Sequence, residues 1–192
     1  MTARRAKAEA LQATDAELLA RVASGEIGAL GELYDRHQAS VRRFVDRATG
    51  GAEDVDDLVH QTFLAAAKSA AKYDGRPSCR PWLLGIAVQH LKRRRQSFAH
   101  LLSVLGSLRI GRSATIDPRS SLHARTDVDR ALAKLSEAKR VTFLMAEVEG
   151  FTCAEIAEAL GIPVGTVWTR LHAARRELRA ALGDPSIGEE GA

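Results

Sequence analysis

Apolar residues recur at three- and four-residue steps along almost the whole chain, the period of an amphipathic helix. Asp15 is placed to cap a first helix over AELLARVASG, which Gly25 ends. Ile27, Leu30, Leu33, Tyr34, Val41, Phe44 and Val45 mark a second helix from Ile27 to Ala48, broken by TGG at 49–51. A third spans Ala52 to Lys72, with Val55, Leu58, Val59, Thr62, Phe63 and Ala66 on one face. YDGRPSCR at 73–80 reads as a loop, and a fourth helix from Pro81 to about His100 carries Trp82, Leu83, Ile86, Ala87 and Leu91. The segment 97–125 has no period and predicts a linker, with one short helical piece near 99–105. Helical patterning resumes over 126–135, 136–148, 152–160 and 164–182, and the tail GDPSIGEEGA reads as frayed. There is no strand pattern and no internal repeat. The fold class that follows is all-α, two small helical domains on a flexible tether.

Near the C-terminus the local signals sharpen. Thr152 and Glu155 match the capping box, which satisfies free amides at a helix start. Gly161 stands where two helices turn sharply, and a residue without Cβ accepts the left-handed conformation there. Pro163 suits the start of the next helix, where its missing N–H costs nothing. Short helix, glycine turn, second helix is the helix-turn-helix layout. On a helical wheel Val164, Val167, Leu171, Ala174 and Leu178 share one face. Gly165, Thr169, His172 and Arg176 lie opposite. Trp168, Arg175 and Arg179 lie on one flank, Thr166 and Arg170 on the other. A small tip followed by guanidinium groups suits a helix entering the major groove, although a solvated arginine face would show the same charge.

Composition changes this picture little. The 192 residues are 45% hydrophobic and 27% charged, a folded rather than disordered balance. The net charge of +4 matters through its clustering. LKRRRQ at 91–96 gathers four cations at a helix end, a phosphate-binding patch or a solvated run. Trp82, about three turns upstream beside the loop, either stacks on an unpaired base or belongs to the core. Glu53, Asp54, Asp56 and Asp57 open the third helix, where acids suit the helix dipole. Acids would repel nucleic acid, so that surface meets a basic protein partner or is merely solvated.

Other classes are poorly supported. Cys79 and Cys153 are far apart, as in reduced, half-buried thiols of a reducing compartment. His37, His60, His90, His100, His123 and His172 form no metal spacing, and there is no nucleophile elbow or phosphate loop. No catalytic residue, metal or cofactor is expected. No apolar run reaches the roughly 20 residues of a membrane helix, and the N-terminus lacks a signal peptide's apolar region. A cytoplasmic protein without membrane insertion is expected.

Two stretches, 52–96 and 135–179, resemble the extracytoplasmic-function (ECF, group 4) sigma factors of the sigma-70 family. The second contains EGFTCAEIAEALGIPVGTVWTRLHAAR, similar to a pattern specific to that family. The resemblance implies a σ2-like four-helix domain over 10–97, a linker over 98–123, a σ4-like helix-turn-helix domain over 124–183 and a disordered tail over 184–192. It implies that the chain binds core RNA polymerase and promoter DNA, helps open the −10 element, is held in check by a separate anti-sigma factor and is a monomer when free. By position in the motifs, Asp54, Asp57, Gln61 and Phe63 would meet the polymerase. Arg76, Ser78, Trp82, Ile86, Gln89, His90, Lys92 and Arg93 would serve the −10 element, with loop 73–80 as the pocket for a flipped base. Gly165, Thr166, Trp168, Thr169, Arg170, His172, Arg175 and Arg176 would read the −35 element. The chain departs from the family at Gln61, where an acid is common, at Gln89, usually Asn, and at Trp168 and Ala173, often basic. These departures bear on the promoter sequence, and Trp168 either packs on DNA or folds onto the first domain or linker. A helix-turn-helix regulator, or a polymerase-binding adaptor without promoter-opening activity, is the alternative.

Overall fold

A computed structural model of the chain describes residues 13–51, 54–76, 78–107 and 127–183. The expected tail, residues 108–123 of the expected linker, Glu53 and His123 lie outside the described residues. Among the described residues the regular structure is helical, with no strand.

The first unit comprises α1 (Asp15–Ala23), α2 (Ile27–Thr49), α3 (Val55–Ser69) with a 3-10 turn at Ala70–Lys72, and α4 (Arg80–Ser107). The cap of α1 is Thr14 rather than Asp15: Glu17 N–H donates to Thr14 Oγ1 at 3.2 Å, and Thr14 N–H to Glu17 Oε2 at 2.7 Å. Asp15 has stronger partners in the interior. Its carboxylate lies 2.9 Å from His37 Nε2, accepts from Arg36 at 2.9 Å, and accepts the Cys79 backbone amide at 3.2 Å. Three segments are thereby tied together, and the loop before α4 is held at its end. Although sequence spacing shows no metal motif, Asp15, His37 and Cys79 bring their ligand atoms within 4.8 Å of one another, all three buried. The hydrogen bonds already made by the carboxylate make the grouping an internal brace. Cys79 is fully rather than half buried, and burial pushes its thiol well above the usual range.

Leu33, Val41, Phe44 and Val45 of α2 are closed off from solvent, each burial contributing about 1.5–3 kcal/mol. Ile27, expected within this apolar pattern, is 84% exposed at the first position of α2, where no facing element covers it. α4 runs past His100 to Ser107, so the short helical piece expected near 99–105 is a continuation of α4 rather than a separate segment of the linker.

The second unit comprises α5 (Asp127–Lys134), α6 (Glu137–Phe143), a widened π-type turn at Leu144–Val148, α7 (Cys153–Leu160) and α8 (Val164–Leu182). The turn interrupts the single helix expected over 136–148. Thr152 and Glu155 form the expected capping box, Gly161 takes the left-handed φ of 63°, and Pro163 caps α8. Val167, Leu171, Ala174 and Leu178 are buried, whereas Val164, expected with them, is 42% exposed in the first turn. The two units are packed together, α7 lying against α4.

Candidate nucleic-acid and polymerase interfaces

The loop between α3 and α4 is braced at both ends. Tyr73 packs its ring on Trp82, centroids 5.2 Å apart, and its hydroxyl donates to the Arg76 carbonyl at 2.9 Å. Burial pushes the Tyr73 phenol well above its usual range, so it stays a donor. Arg76 Nε donates to Asp74 Oδ2 at 2.6 Å. Around these groups lies a cavity of about 300 Å³. Its walls are Lys72, Tyr73, Asp74 and Arg76 from the loop side and Trp82, Gly85, Ile86 and Gln89 from α4. Glu158 and Ala159 of α7 complete it. A half-buried indole beside a phenol and a guanidinium can stack and hydrogen-bond an unpaired base, and such stacking contributes about 1–3 kcal/mol per base.

Beyond the cavity, α4 exposes Lys92 and Arg93 to solvent. His90 is half-buried; burial and the charge of Arg93 hold its imidazole below the ordinary value, favouring the neutral ring.

On α8 the outward face is displayed as the wheel predicts. Trp168, Thr169, His172, Arg175 and Arg176 are exposed, and Thr166 and Arg170 are half-buried. Thr169 Oγ1 donates to the Gly165 carbonyl at 2.9 Å, which orients the hydroxyl along the helix. Trp168 is 59% exposed and its indole faces solvent.

On α3 the outer face carries Asp57, exposed, and Gln61, whose Nε2 donates to Asp57 Oδ2 at 2.7 Å. Asp54, just before α3, pairs with Arg94 of α4. One acid of this surface is thus already joined to the basic run.

Residues 33–98 match the family described as sigma-70 region 2, and residues 125–178 match sigma-70, region 4. The ECF RNA polymerase sigma factor SigL of Mycobacterium tuberculosis is 34% identical over 86% of this chain and 95% of its own length. The chain belongs to the ECF RNA polymerase sigma factors. CnrH, an RNA polymerase sigma factor of Cupriavidus metallidurans, is 31% identical over 88% of this chain and 94% of its own. The solved structure of CnrH with the cytosolic domain of CnrY has a TM-score of 0.62 at 28% identity, covering 90% of this chain and 99% of that one. RpoE in complex with the anti-sigma factor NepR, from Bartonella quintana, shares the fold with a TM-score of 0.66 at 19% identity over 81% and 97% of the two chains.

Within this sigma factor the structure gathers Arg76, Trp82, Ile86 and Gln89 around one cavity. Ser78 stands apart, exposed, its hydroxyl accepting from the Arg80 amide at 3.3 Å. Phe63 is a correction: it is only 3% exposed and meets Tyr34 edge-on at 4.8 Å. A ring so enclosed is core and presents no surface to a partner. Leu64, one position on and 59% exposed, is the apolar residue α3 offers outward. Tyr73 and Asp74 lie in the loop expected as the pocket without being singled out, whereas Lys72, Gly85, Glu158 and Ala159 were not expected there. Tyr73 was the detectable one, an aromatic inside a loop already singled out.

Proposed function

We propose that this sigma factor docks on core RNA polymerase through the outer face of α3 and directs it to promoters bearing two elements. The first domain, 10–97, captures and opens −10 DNA with the loop cavity and α4, and the second, 124–183, reads the −35 element through α8. The segregation of chemistry supports this above all. A cavity lined by aromatic and cationic groups, an arginine-bearing helix on a helix-turn-helix and an acidic helix face occupy separate surfaces. Opening a base pair costs a few kcal/mol, and capture of one flipped base offsets part of it. Two modest binders held on one enzyme gain by effective concentration, so neither need bind DNA tightly alone.

Asp54, Asp57 and Gln61 would contact the polymerase. Arg76, Trp82, Ile86, Gln89, His90, Lys92 and Arg93, with Ser78 at the loop's edge, would contact −10 DNA. Gly165, Thr166, Trp168, Thr169, Arg170, His172, Arg175 and Arg176 would contact −35 DNA. The chain supplies recognition and the polymerase supplies catalysis. It works in the cytoplasm; no helix among the described residues is long and apolar enough to cross a membrane. An anti-sigma factor restrains it, a reading supported by CnrH, 28% identical and solved with the cytosolic domain of CnrY bound.

Run-off transcription tests the assignment. Purified protein, bacterial core polymerase and fragmented genomic DNA should yield discrete 5′ ends sharing two upstream motifs, absent without the protein. Co-elution with core but no starts would overturn the promoter-reading role, and neither would overturn the whole.

A further inference from the structure

Asp15, His37 and Cys79 come from three separate segments: the start of α1, the middle of α2 and the residue just before α4. Their ligand atoms, a carboxylate oxygen, an imidazole nitrogen and a sulfur, lie within 4.8 Å of one another. The three residues are only 7%, 9% and 0% exposed. The hydrogen bonds of the brace explain the carboxylate and the imidazole, with Asp15 Oδ2 2.9 Å from His37 Nε2 and 3.2 Å from the Cys79 amide nitrogen. They do not explain the thiol. What the brace takes from residue 79 is its backbone N–H, which any residue but proline supplies. A fully enclosed sulfur beside the same carboxylate is one donor more than the brace requires.

Oxygen, nitrogen and sulfur together are the donor set of a zinc site. Zn²⁺ takes such ligands at about 2.0–2.3 Å, so they stand about 3.5 Å apart around a tetrahedral ion. The spacing here brackets that value, and side-chain torsions can close the difference. The outer partners also fit. Arg36 donates to the other carboxylate oxygen, Oδ1, at 2.9 Å, which leaves Oδ2 toward His37 and Cys79. A partner of this kind orients a ligating carboxylate. Arg36 is itself paired with Glu32 at 3.1 Å, which offsets its repulsion of a cation. Burial keeps the Cys79 thiol protonated while it stands alone, because an enclosed thiolate lacks a counter-charge. A divalent ion supplies that charge and releases the thiol proton to solvent. Carboxylate and thiolate then balance its two positive charges, and His37 binds as neutral imidazole.

We propose that Asp15, His37 and Cys79 form a buried site for a thiophilic divalent cation of the Zn²⁺ class, which ties α1 and α2 to the end of the loop before α4. Three protein ligands leave one tetrahedral position for water. The ion exchanges the hydrogen bond between Asp15 and His37 for a bond to each, and adds a link to the Cys79 side chain that the brace lacks. The site is assembled only by folding, so the ion stabilises the chain as its concentration rises. It involves neither DNA nor polymerase, and it stands or falls apart from the promoter reading.

The metal-stripped full chain, its thiols kept reduced, tests this with Zn²⁺ and Co²⁺ alone. Competition against a chromophoric chelator should give one Zn²⁺ per chain with micromolar or tighter affinity. Saturation should raise the midpoint of thermal unfolding by at least about 3 °C. Co²⁺ should give a thiolate charge-transfer band in the near ultraviolet. Cys79→Ser keeps the backbone amide and so the brace; it should abolish that band and weaken Zn²⁺ binding at least about tenfold. Cys153→Ser should change neither. Affinity weaker than micromolar in the parent, or a band and affinity that survive Cys79→Ser, would overturn the site. The chain has two cysteines, so Cys153→Ser leaves Cys79 as its one thiol. Loss of the cobalt band in that variant would overturn the site as well, however well Cys79→Ser folds.

Discussion

Glu147 clasps Arg175 of α8 through a single carboxylate oxygen, 3.0 Å from Nε and 2.6 Å from Nη2. Both side chains are more than a third exposed, so the pair contributes at most about 1 kcal/mol to stability. On the proposed reading of α8, its larger effect is on DNA, since the carboxylate would compete with a phosphate or guanine edge for the same donors. Arg175→Ala and Arg170→Ala should each weaken −35 duplex binding by about 1–3 kcal/mol without loss of core binding. Glu147→Gln should strengthen duplex binding, most at low salt. Anisotropy titrations at fixed ionic strength check this, and equal affinities across the set would count against α8 as the reading helix.

On α3, adjacent residues should separate docking from folding. Phe63→Ala removes a buried ring and should cost about 3–5 kcal/mol of stability in urea denaturation. Leu64→Ala should leave stability within about 0.5 kcal/mol, as surface changes do, yet weaken core binding. Asp57→Arg should impair core binding as well, by reversing a charge on the exposed face. Co-elution with core polymerase, measured beside the denaturation curves, distinguishes the two kinds of loss.

What could be read from the chain beforehand follows the range of each interaction. The capping box at Thr152 and Glu155 and the left-handed Gly161 were legible because their partners lie within a few residues. Asp15 was misread as a cap because His37 and Cys79, 22 and 64 residues away, claim its carboxylate. For Phe63 two readings conflicted: periodicity put it on the apolar face, resemblance at the docking face, and the packing follows periodicity. Helix near 99–105 was legible, but its continuity with α4 was not, because the basic run between them has no apolar stripe. The backbone of Ala159 lies so close to Gly85 that a Cβ there would collide with it, and the chain carried one trace of this, a glycine inside a predicted helix, which has no meaning until the partner is in place.

The brace at Asp15 has a pH signature. Burial alone would raise its carboxyl, but the hydrogen bond and charge of His37, the Cys79 amide and Arg36 together hold it well below the ordinary carboxylate range. In the unfolded chain it titrates near its reference value of about 3.9. A depressed folded value means that this contribution is present above about pH 4 and is lost as pH falls further toward the folded value. Asp15→Asn should cost about 2–3 kcal/mol at neutral pH, the scale of hydrogen bonds to a charged group. Below about pH 4 the gap between parent and variant should begin to narrow. Urea midpoints from pH 7 down to pH 3 measure it, and a constant gap would show that the carboxylate's charge is not what holds the three segments.

Trp168 and Arg176 should leave different marks on promoter choice. The indole is 59% exposed near the start of α8, with Val164 also bare one turn before it. An apolar tip in the major groove favours the methyl group of thymine. Arg176 is exposed further along the helix, and on the proposed docking its guanidinium would meet backbone phosphate. Trp168→Ala should therefore relax preference at one or two base pairs by about 1–3 kcal/mol and leave the salt dependence alone. Arg176→Ala should weaken all sequences alike and lower the slope of log affinity against log salt by about 1. Stability should stay within about 0.5 kcal/mol in both, because neither side chain is buried. Binding to a −35 library at two or more salt concentrations gives both readouts from one experiment. A uniform loss for Trp168→Ala would move the indole from the base edges to the sugar-phosphate backbone. A sequence-selective loss for Arg176→Ala would place its guanidinium on a guanine instead.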